Sequence, residues 1–366
     1  MYIQSVGLKD FRSYALDGAD FSRGLNVLKG RNAAGKTNLL EAVYVAGVGK
    51  SLRTNQDREL VKWDAEEAVV KLKLVKKNSR HDIEIRIDQK GKKRVLIDGI
   101  PMVRMAELLG YLNIVFFSPD ELRLIKEGPA ERRRFLDISL CQQSRVYLKN
   151  LGTYTKALMQ RNKLLKNSYN RDSFRDMLDV FDVQLAKSGA QVIEIRRRFV
   201  ENISGAAGAW HEKISGGRET LTLAYESIAG SGELSGAALI ELLIKKMKGD
   251  RDKDIETAFT NSGPHRDDLK VAVNGIDIRK FGSQGQQRSA ALSLKLAEIE
   301  SFKIETGESP VLLLDDVLSE LDLKRQENLI AATEGIQTIL TCTHFDIAIG
   351  REFAEYHITD GKIIKE

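Results

Sequence analysis

The stretch Gly30-Arg31-Asn32-Ala33-Ala34-Gly35-Lys36-Thr37 constrains this chain more than any other. It fits G-x-x-x-x-G-K-[ST]. It follows the short apolar run "GLNVLKG" and opens "TNLLEAVYVAGVG", which is apolar at helical spacing through Leu39, Leu40, Val43 and Ala46. Strand, loop and helix in that order are the context the motif requires. Small residues let backbone N–H groups wrap a β-phosphate, and the helix N-terminus adds the positive end of its dipole. Lys36 is placed to bridge β- and γ-phosphates, and the Thr37 hydroxyl to complete a Mg2+ shell.

The rest of the chain reads as an α/β sequence split by a helical insertion. "HDIEIRIDQKGKKRVLIDGIPM" alternates at Ile83, Ile85 and Ile87 and turns at Lys90-Gly91, a hairpin pattern. From about Pro129 to Lys166 the spacing is helical, with Tyr147, Leu151, Tyr154, Leu158 and Leu165 on one stripe. A polar link near Ser168–Asp172 precedes Phe174, Leu178, Phe181, Leu185, Ser188, Val192, Ile195 and Phe199, whose alternating steps of four and three make a heptad seam. The pair predicts an αα-hairpin in a helical lobe rather than an extended arm, because the seam ends after a few heptads. "LKVAVNGIDIRKF" predicts a hairpin about Asn274-Gly275. "VLLLDD" and "IQTILTCTHF", the second ending at His344, read as buried parallel strands, and "YHITDGKII" closes on an Asp360-Gly361 turn. The predicted division is an ATPase lobe of residues 1–115 and 262–366 and a helical lobe of residues 116–261.

Two further stretches carry chemistry. "PVLLLDDVLSELD" ends an apolar strand on Asp315 and Asp316. Asp315 is placed for the metal side of a P-loop site, and Asp316 for the attacking water. "FGSQGQQRSAAL" leads small residues and glutamines into a helix. The order of phosphate loop, helical insertion, Ser-Gln-Gly-Gln-Gln, Asp-Asp and Thr343-His344 resembles the ATPase head of the ABC/SMC superfamily. In those proteins a signature of the "LSGGQ" type closes over the γ-phosphate held by a second subunit. "GSQGQ" matches at Ser283, Gly285 and Gln286 and departs at Gly282 and Gln284.

"FFSPDELRLIKEGPAERRRFLD", "SGPHRDDL", "GSQGQQRS" and "LLLDDVLSELD", with the phosphate loop and its flanks, narrow the match. Together they resemble the RecF family of bacterial recombination mediators, from the first residues to the last. The resemblance implies an ABC/SMC-like head with a P-loop α/β lobe, an antiparallel β subdomain, a mostly helical second lobe and no long coiled coil. It implies binding of ATP, Mg2+ and double-stranded or gapped DNA, with homodimers forming when ATP is bound. It implies slow, DNA-stimulated hydrolysis, and work with RecR and RecO that helps RecA displace single-strand-binding protein. It places the nucleotide on Gly30 to Thr37 and the metal on Thr37 and Asp315, with Lys36, Asp316 and the switch histidine His344 as catalytic residues. Ser283, Gly285 and Gln286 act in trans. Arg12 in "FRSY" and Arg53 in "KSLRT" are further nucleotide candidates. Two departures stand out. "FFSPDEL" lacks the usual metal-shell glutamine, leaving Ser118 or Asp120 for that place. Asp316 stands at the usual catalytic glutamate position of ABC enzymes, one methylene shorter, and a misplacement of about 1–1.5 Å costs on the order of 10²-fold in rate. A slow ATPase is therefore expected.

Composition narrows the class further. The chain has 366 residues and net charge +5, a mild excess compatible with a polyanionic partner. Cys141 and Cys342 form no C-x-x-C, which fits a reducing cytosol and argues against a zinc hook of the Rad50 kind. No secretory pattern or apolar run of spanning length is visible, so a cytoplasmic protein is expected. An ABC transporter ATPase would need the catalytic glutamate, the metal-shell glutamine and a coupling surface for a membrane partner. Basic clusters at Lys76-Lys77 and Arg132-Arg133-Arg134, among others, are candidates for salt-sensitive contact with the DNA backbone. No zinc-finger or helix-turn-helix spacing points to base readout.

Overall fold

The structure is a computed structural model and describes residues 1–167, 174–230, 234–345, 347 and 350–366. The polar link expected near Ser168–Asp172 lies outside the described residues. The chain divides into two compact units. One takes Met1–Leu122, Lys213–Gly217 and Ala291–Glu366, and the other takes Arg123–Glu212 and Arg218–Ala290.

The first unit holds two six-stranded sheets. One has the spatial order Lys362–Lys365, Ala354–Thr359, Leu25–Lys29, Thr338–Cys342, Val311–Asp315, Ile114–Phe117. Its last five strands run parallel, and Lys362–Lys365 returns antiparallel. Leu25–Leu28, Val311–Leu314 and Ile114–Phe117 are buried without alternation, as strands covered on both faces must be. The other sheet is antiparallel, in the order Tyr14–Asp20, Tyr2–Phe11, Glu67–Val75, Arg80–Asp88, Lys93–Ile97, Ile100–Pro101. Here alternation holds: Ile83, Ile85 and Ile87 are buried.

The helix Lys36–Val48 shares a single core with both sheets. Leu39, Leu40 and Val43 join Val70, Leu72 and Ile85 of one sheet and Leu28, Leu313 and Ile339 of the other. The apolar spacing of this helix predicts a one-sided stripe, yet Glu41 to Gly47 are all buried. A helix covered all round is apolar all round. Each fully buried leucine or valine here contributes roughly 1.5–3 kcal/mol. The loop at the helix N-terminus is thereby fixed to a rigid base.

The second unit combines the helices Pro129–Gln143, Arg145–Asn167, Phe174–Ser215, Gly236–Gly249 and Arg251–Thr257 with a three-stranded sheet, Ile276–Asp277, Asp268–Val273, Leu221–Glu226. The longest helix has 42 residues, about 63 Å at the α-helical rise. Phe174, Leu178, Leu185, Ser188, Val192 and Phe199 of its seam are buried. Ser188 is accommodated because its Oγ donates to Gln184 O at 2.8 Å. Arg161 is fully buried between Asp182 at 2.9 Å and Asp254 at 2.7 Å, which ties both long helices to Arg251–Thr257. Among the described residues no long coiled coil leaves this unit.

The observed division corrects the boundary drawn at residue 262. Residues 262–290 belong with the helical unit, because Asp268–Val273 pairs along its whole length with Leu221–Glu226. That partner is a six-residue strand set among helices, too short to register against the surrounding 3.6 period. The strand expected to end at His344 stops at Cys342, leaving Thr343 and His344 beyond the sheet.

Candidate functional site

The P-loop closes at the carboxyl end of Leu25–Lys29, in the middle of the parallel sheet. A Cβ on Gly30 would collide with the carbonyl oxygen of Ile358 on the neighbouring strand, so close packing alone demands glycine there. Gly35 has φ +114°, open to glycine and strained for other residues. Its carbonyl accepts from Tyr14 Oη at 3.0 Å. Ala33 also lies in the left-handed region, at φ 68°, a conformation that costs a non-glycine residue about 1 kcal/mol or more. Such strain clusters where a backbone must present its N–H groups.

Lys36, Thr37, Asp315 and Thr341 meet inside the first unit. Lys36 Nζ donates to Gly30 O at 2.5 Å and Arg31 O at 2.9 Å, within the loop. Burial lowers the Lys36 ammonium below its ordinary range, against the carboxylates of Asp316 and Asp315. Asp315 Oδ1 accepts from Thr341 Oγ1 at 2.7 Å and from Thr37 Oγ1 at 3.0 Å. Burial pushes the Asp315 carboxyl up, and those two hydroxyls pull it back. Asp316 turns the chain out of the strand at φ 50°, and its N–H donates to Thr341 Oγ1 at 3.0 Å. Thr341 thus fixes both acidic residues, a part sequence reasoning missed because it lies 26 residues away on the next strand.

The donor set fits Mg2+. One hydroxyl and one carboxylate leave most of an octahedron to waters and phosphate oxygens, as that ion prefers. The register also separates the two candidates for the missing glutamine. Leu314 pairs with Phe117, so Ser118 lies level with Asp315, whereas Asp120 is exposed two residues farther on. His344 is exposed two residues past its strand.

Arg12 and Arg53 differ in standing. Arg12 Nε and Nη2 bind Glu41 at 2.9 and 3.0 Å, and Nη1 donates to Glu59 O at 2.9 Å. Glu41 is a fully buried carboxylate on the P-loop helix and needs that partner. Arg12 therefore steadies the helix, and all three of its nitrogens are engaged in doing so. Arg53 is exposed and donates to Asn38 Oδ1 at 3.2 Å, which brings its guanidinium to the first turn of the helix, one residue past Thr37.

The signature stretch belongs to the second unit. A Cβ on Gly282 would meet Ile278 O at 2.6 Å, so that glycine is set by its own chain. A Cβ on Gly285 would meet only Ser283 Oγ at 3.9 Å. Among the described residues, nothing requires glycine at residue 285.

The basic candidates divide. Arg132 is 4% exposed, forms a bidentate pair with Asp268 at 2.6 and 2.9 Å, and donates to Glu127 O. Arg133 donates to Asp267 O at 2.7 Å. Both contact "GPHRDDL"; the burial and bidentate pair of Arg132 correct its assignment to DNA, while Arg133 is half-buried. The same segment sits in a polar network: Arg196 donates to Pro264 O and Tyr147 Oη, Tyr225 Oη to Asp267, and the His265 ring bridges Tyr154 Oη and Thr260 O. Burial pushes His265 down to about 4, so the ring is neutral at physiological pH. Lys76 donates to Gly110 O at 3.2 Å. Lys77 and Arg134 are exposed.

A strand–loop–helix phosphate cradle at the carboxyl ends of a parallel sheet, with an acidic strand beside it and an antiparallel sheet over its helix, defines an ATPase head of the ABC/SMC type. The family model for the RecF/RecN/SMC N-terminal domain matches residues 2–347. The DNA replication and repair protein RecF of Lachnoclostridium phytofermentans is 45% identical over 365 residues, covering 100% of this chain and 98% of that protein. A solved structure of the recombination mediator protein RecF with ATP, in the RecFOR pathway, superposes with TM-score 0.92 at 35% identity, over 100% of this chain and 97% of that one. The Smc head of Pyrococcus furiosus shares the fold, with TM-score 0.59 at 19% identity over 100% of this chain and 96% of that chain. The chain belongs to the RecF family. Among the described residues, no helix is long and apolar enough to cross a membrane.

Proposed function

We propose that this chain is a DNA-binding ATPase of recombinational repair that acts at gapped DNA. The observation that carries the reading is the meeting of Lys36, Thr37 and Asp315 at the carboxyl ends of the parallel strands. ATP binds along Gly30 to Thr37. Thr37 and Asp315 would hold Mg2+, which would supply positive charge against the nucleotide phosphates. Ser118 would take the place of the missing glutamine beside them. Asp316 orients or deprotonates the attacking water, and His344 stands at the γ-phosphate. Ser283, Gly285 and Gln286 of a second copy close the site. The open space at Gly285 supports this reading, since the smallness of that residue then answers to a partner rather than to its own chain.

Hydrolysis is slow and times the dimer's lifetime. The relatives named for DNA replication and repair, and the similar structure from the RecFOR pathway, support a role with RecR and RecO in helping RecA load onto protein-coated single strands. Binding to gapped duplex should tighten with ATP and weaken steeply with salt, because the contacts are to phosphates. A titration of labelled gapped duplex across salt concentrations, with and without ATP, tests this. Affinity indifferent to both salt and ATP would remove the DNA-binding part of the proposal.

A further inference from the structure

The signature stretch is braced by residues outside it. Ser283 caps the helix Gln284–Thr306: its Oγ accepts from Gln286 N at 3.2 Å, and Gln286 Oε1 accepts from Ser283 N at 2.9 Å. This is a reciprocal capping box. A hydroxyl that accepts keeps its own O–H to donate, so the box leaves Ser283 armed toward an anion. The box works in only one orientation of the Gln286 amide, the one with its oxygen toward Ser283. Glu219 selects that orientation, because its Oε1 accepts from Gln286 Nε2 at 2.9 Å. The other Glu219 oxygen lies 3.1 Å from Nε2 of His211, which is fully buried on the long helix Phe174–Ser215.

We propose that Glu219, held by His211, is a positioning residue of the signature. It fixes the Gln286 amide, and through it the Ser283 hydroxyl and first-turn N–H groups, for the terminal phosphate of a nucleotide held by a second copy of this chain. The proposal rests on the reading that residues 283–286 act in trans. Without Glu219 the amide is free to flip, which sets its NH2 against Ser283 N–H and opens the box. The buried histidine matters because it holds the carboxylate in one place.

The test uses the full chain and the variants Glu219→Ala, Glu219→Gln, Ser283→Ala and Lys36→Ala. Glu219→Ala should leave the affinity of the monomer for a fluorescent ATP analogue within about twofold and weaken ATP-dependent dimerisation about tenfold, the scale of a lost helix cap. Glu219→Gln should recover most of that loss, since its amide oxygen still accepts from Gln286 Nε2. Mixing Glu219→Ala chains with Lys36→Ala chains, at a concentration where Glu219→Ala alone is mostly monomeric, should raise ATPase activity above that of either variant alone, because one composite site then pairs a sound P-loop with a sound signature. If Glu219→Ala dimerises like the parent while Ser283→Ala does not, the positioning role is wrong and the trans reading stands. If Ser283→Ala also dimerises normally, the trans reading itself fails. If Glu219→Ala loses monomer affinity or mixing restores nothing, the residue serves folding alone and the proposal is overturned.

Discussion

Replacing Lys36 by arginine is expected to lower ATP turnover about 10³-fold and to suppress ATP-driven dimerisation with it. Phosphoryl transfer leans almost wholly on positioning and charge, so a misplaced P-loop cation is costly. The cause is geometric rather than a loss of charge. Lys36 is only 7% exposed, and its Nζ lies within hydrogen-bond reach of Gly30 O and Arg31 O. A planar guanidinium on a longer reach does not fit that loop as a compact ammonium does. Steady-state ATPase assays and nucleotide titration check it. An arginine variant that binds and turns over ATP within a few-fold of the parent would show that Lys36 does not face the phosphates.

Asp316→Asn should do the opposite to the dimer. Hydrolysis should fall by about two to three orders of magnitude, the scale on which a lost catalytic base or charge acts. ATP binding should survive, because Lys36, Thr37 and Asp315 keep their contacts. The dimer should then persist for as long as ATP does. The substitution is a clean probe for a backbone reason as well. Asp316 sits at φ 50°, and asparagine tolerates that region about as well as aspartate does. Its N–H bond to Thr341 Oγ1 is also untouched by the change. Single-turnover hydrolysis beside sizing of the complex over time reads both halves. A variant that hydrolyses at the parental rate would move the base elsewhere.

What the sequence discloses about this molecule is what local chemistry determines. The P-loop, the acidic strand and the paired turns at Asn274-Gly275 and Asp360-Gly361 are legible because each needs only its neighbours. All four turn residues take positive φ, as such turns demand. Residues joined across the fold are not legible in the same way. Glu41 looks like a surface charge on an amphipathic helix until the second sheet covers it and Arg12 neutralises it. Arg132 looks like part of a basic run until Asp268, 136 residues away, claims it. Thr341, Glu219 and His211 carry no motif at all. Their parts depend on strand register and on which turn of a long helix a loop returns to. The placement of residues 262–290 depends on one short strand finding its partner. Single-sequence periodicity weighs that pairing poorly.

The central claim is that two copies of this chain share each bound triphosphate. Light scattering on the purified protein with ATP, Mg2+ and gapped duplex tests it most directly, preferably on the Asp316→Asn variant so that turnover does not erode the signal. The account predicts a protein mass of twice the chain's 41.0 kDa with ATP and a single-chain mass without it. A single-chain mass at saturating nucleotide, metal and DNA would contradict it.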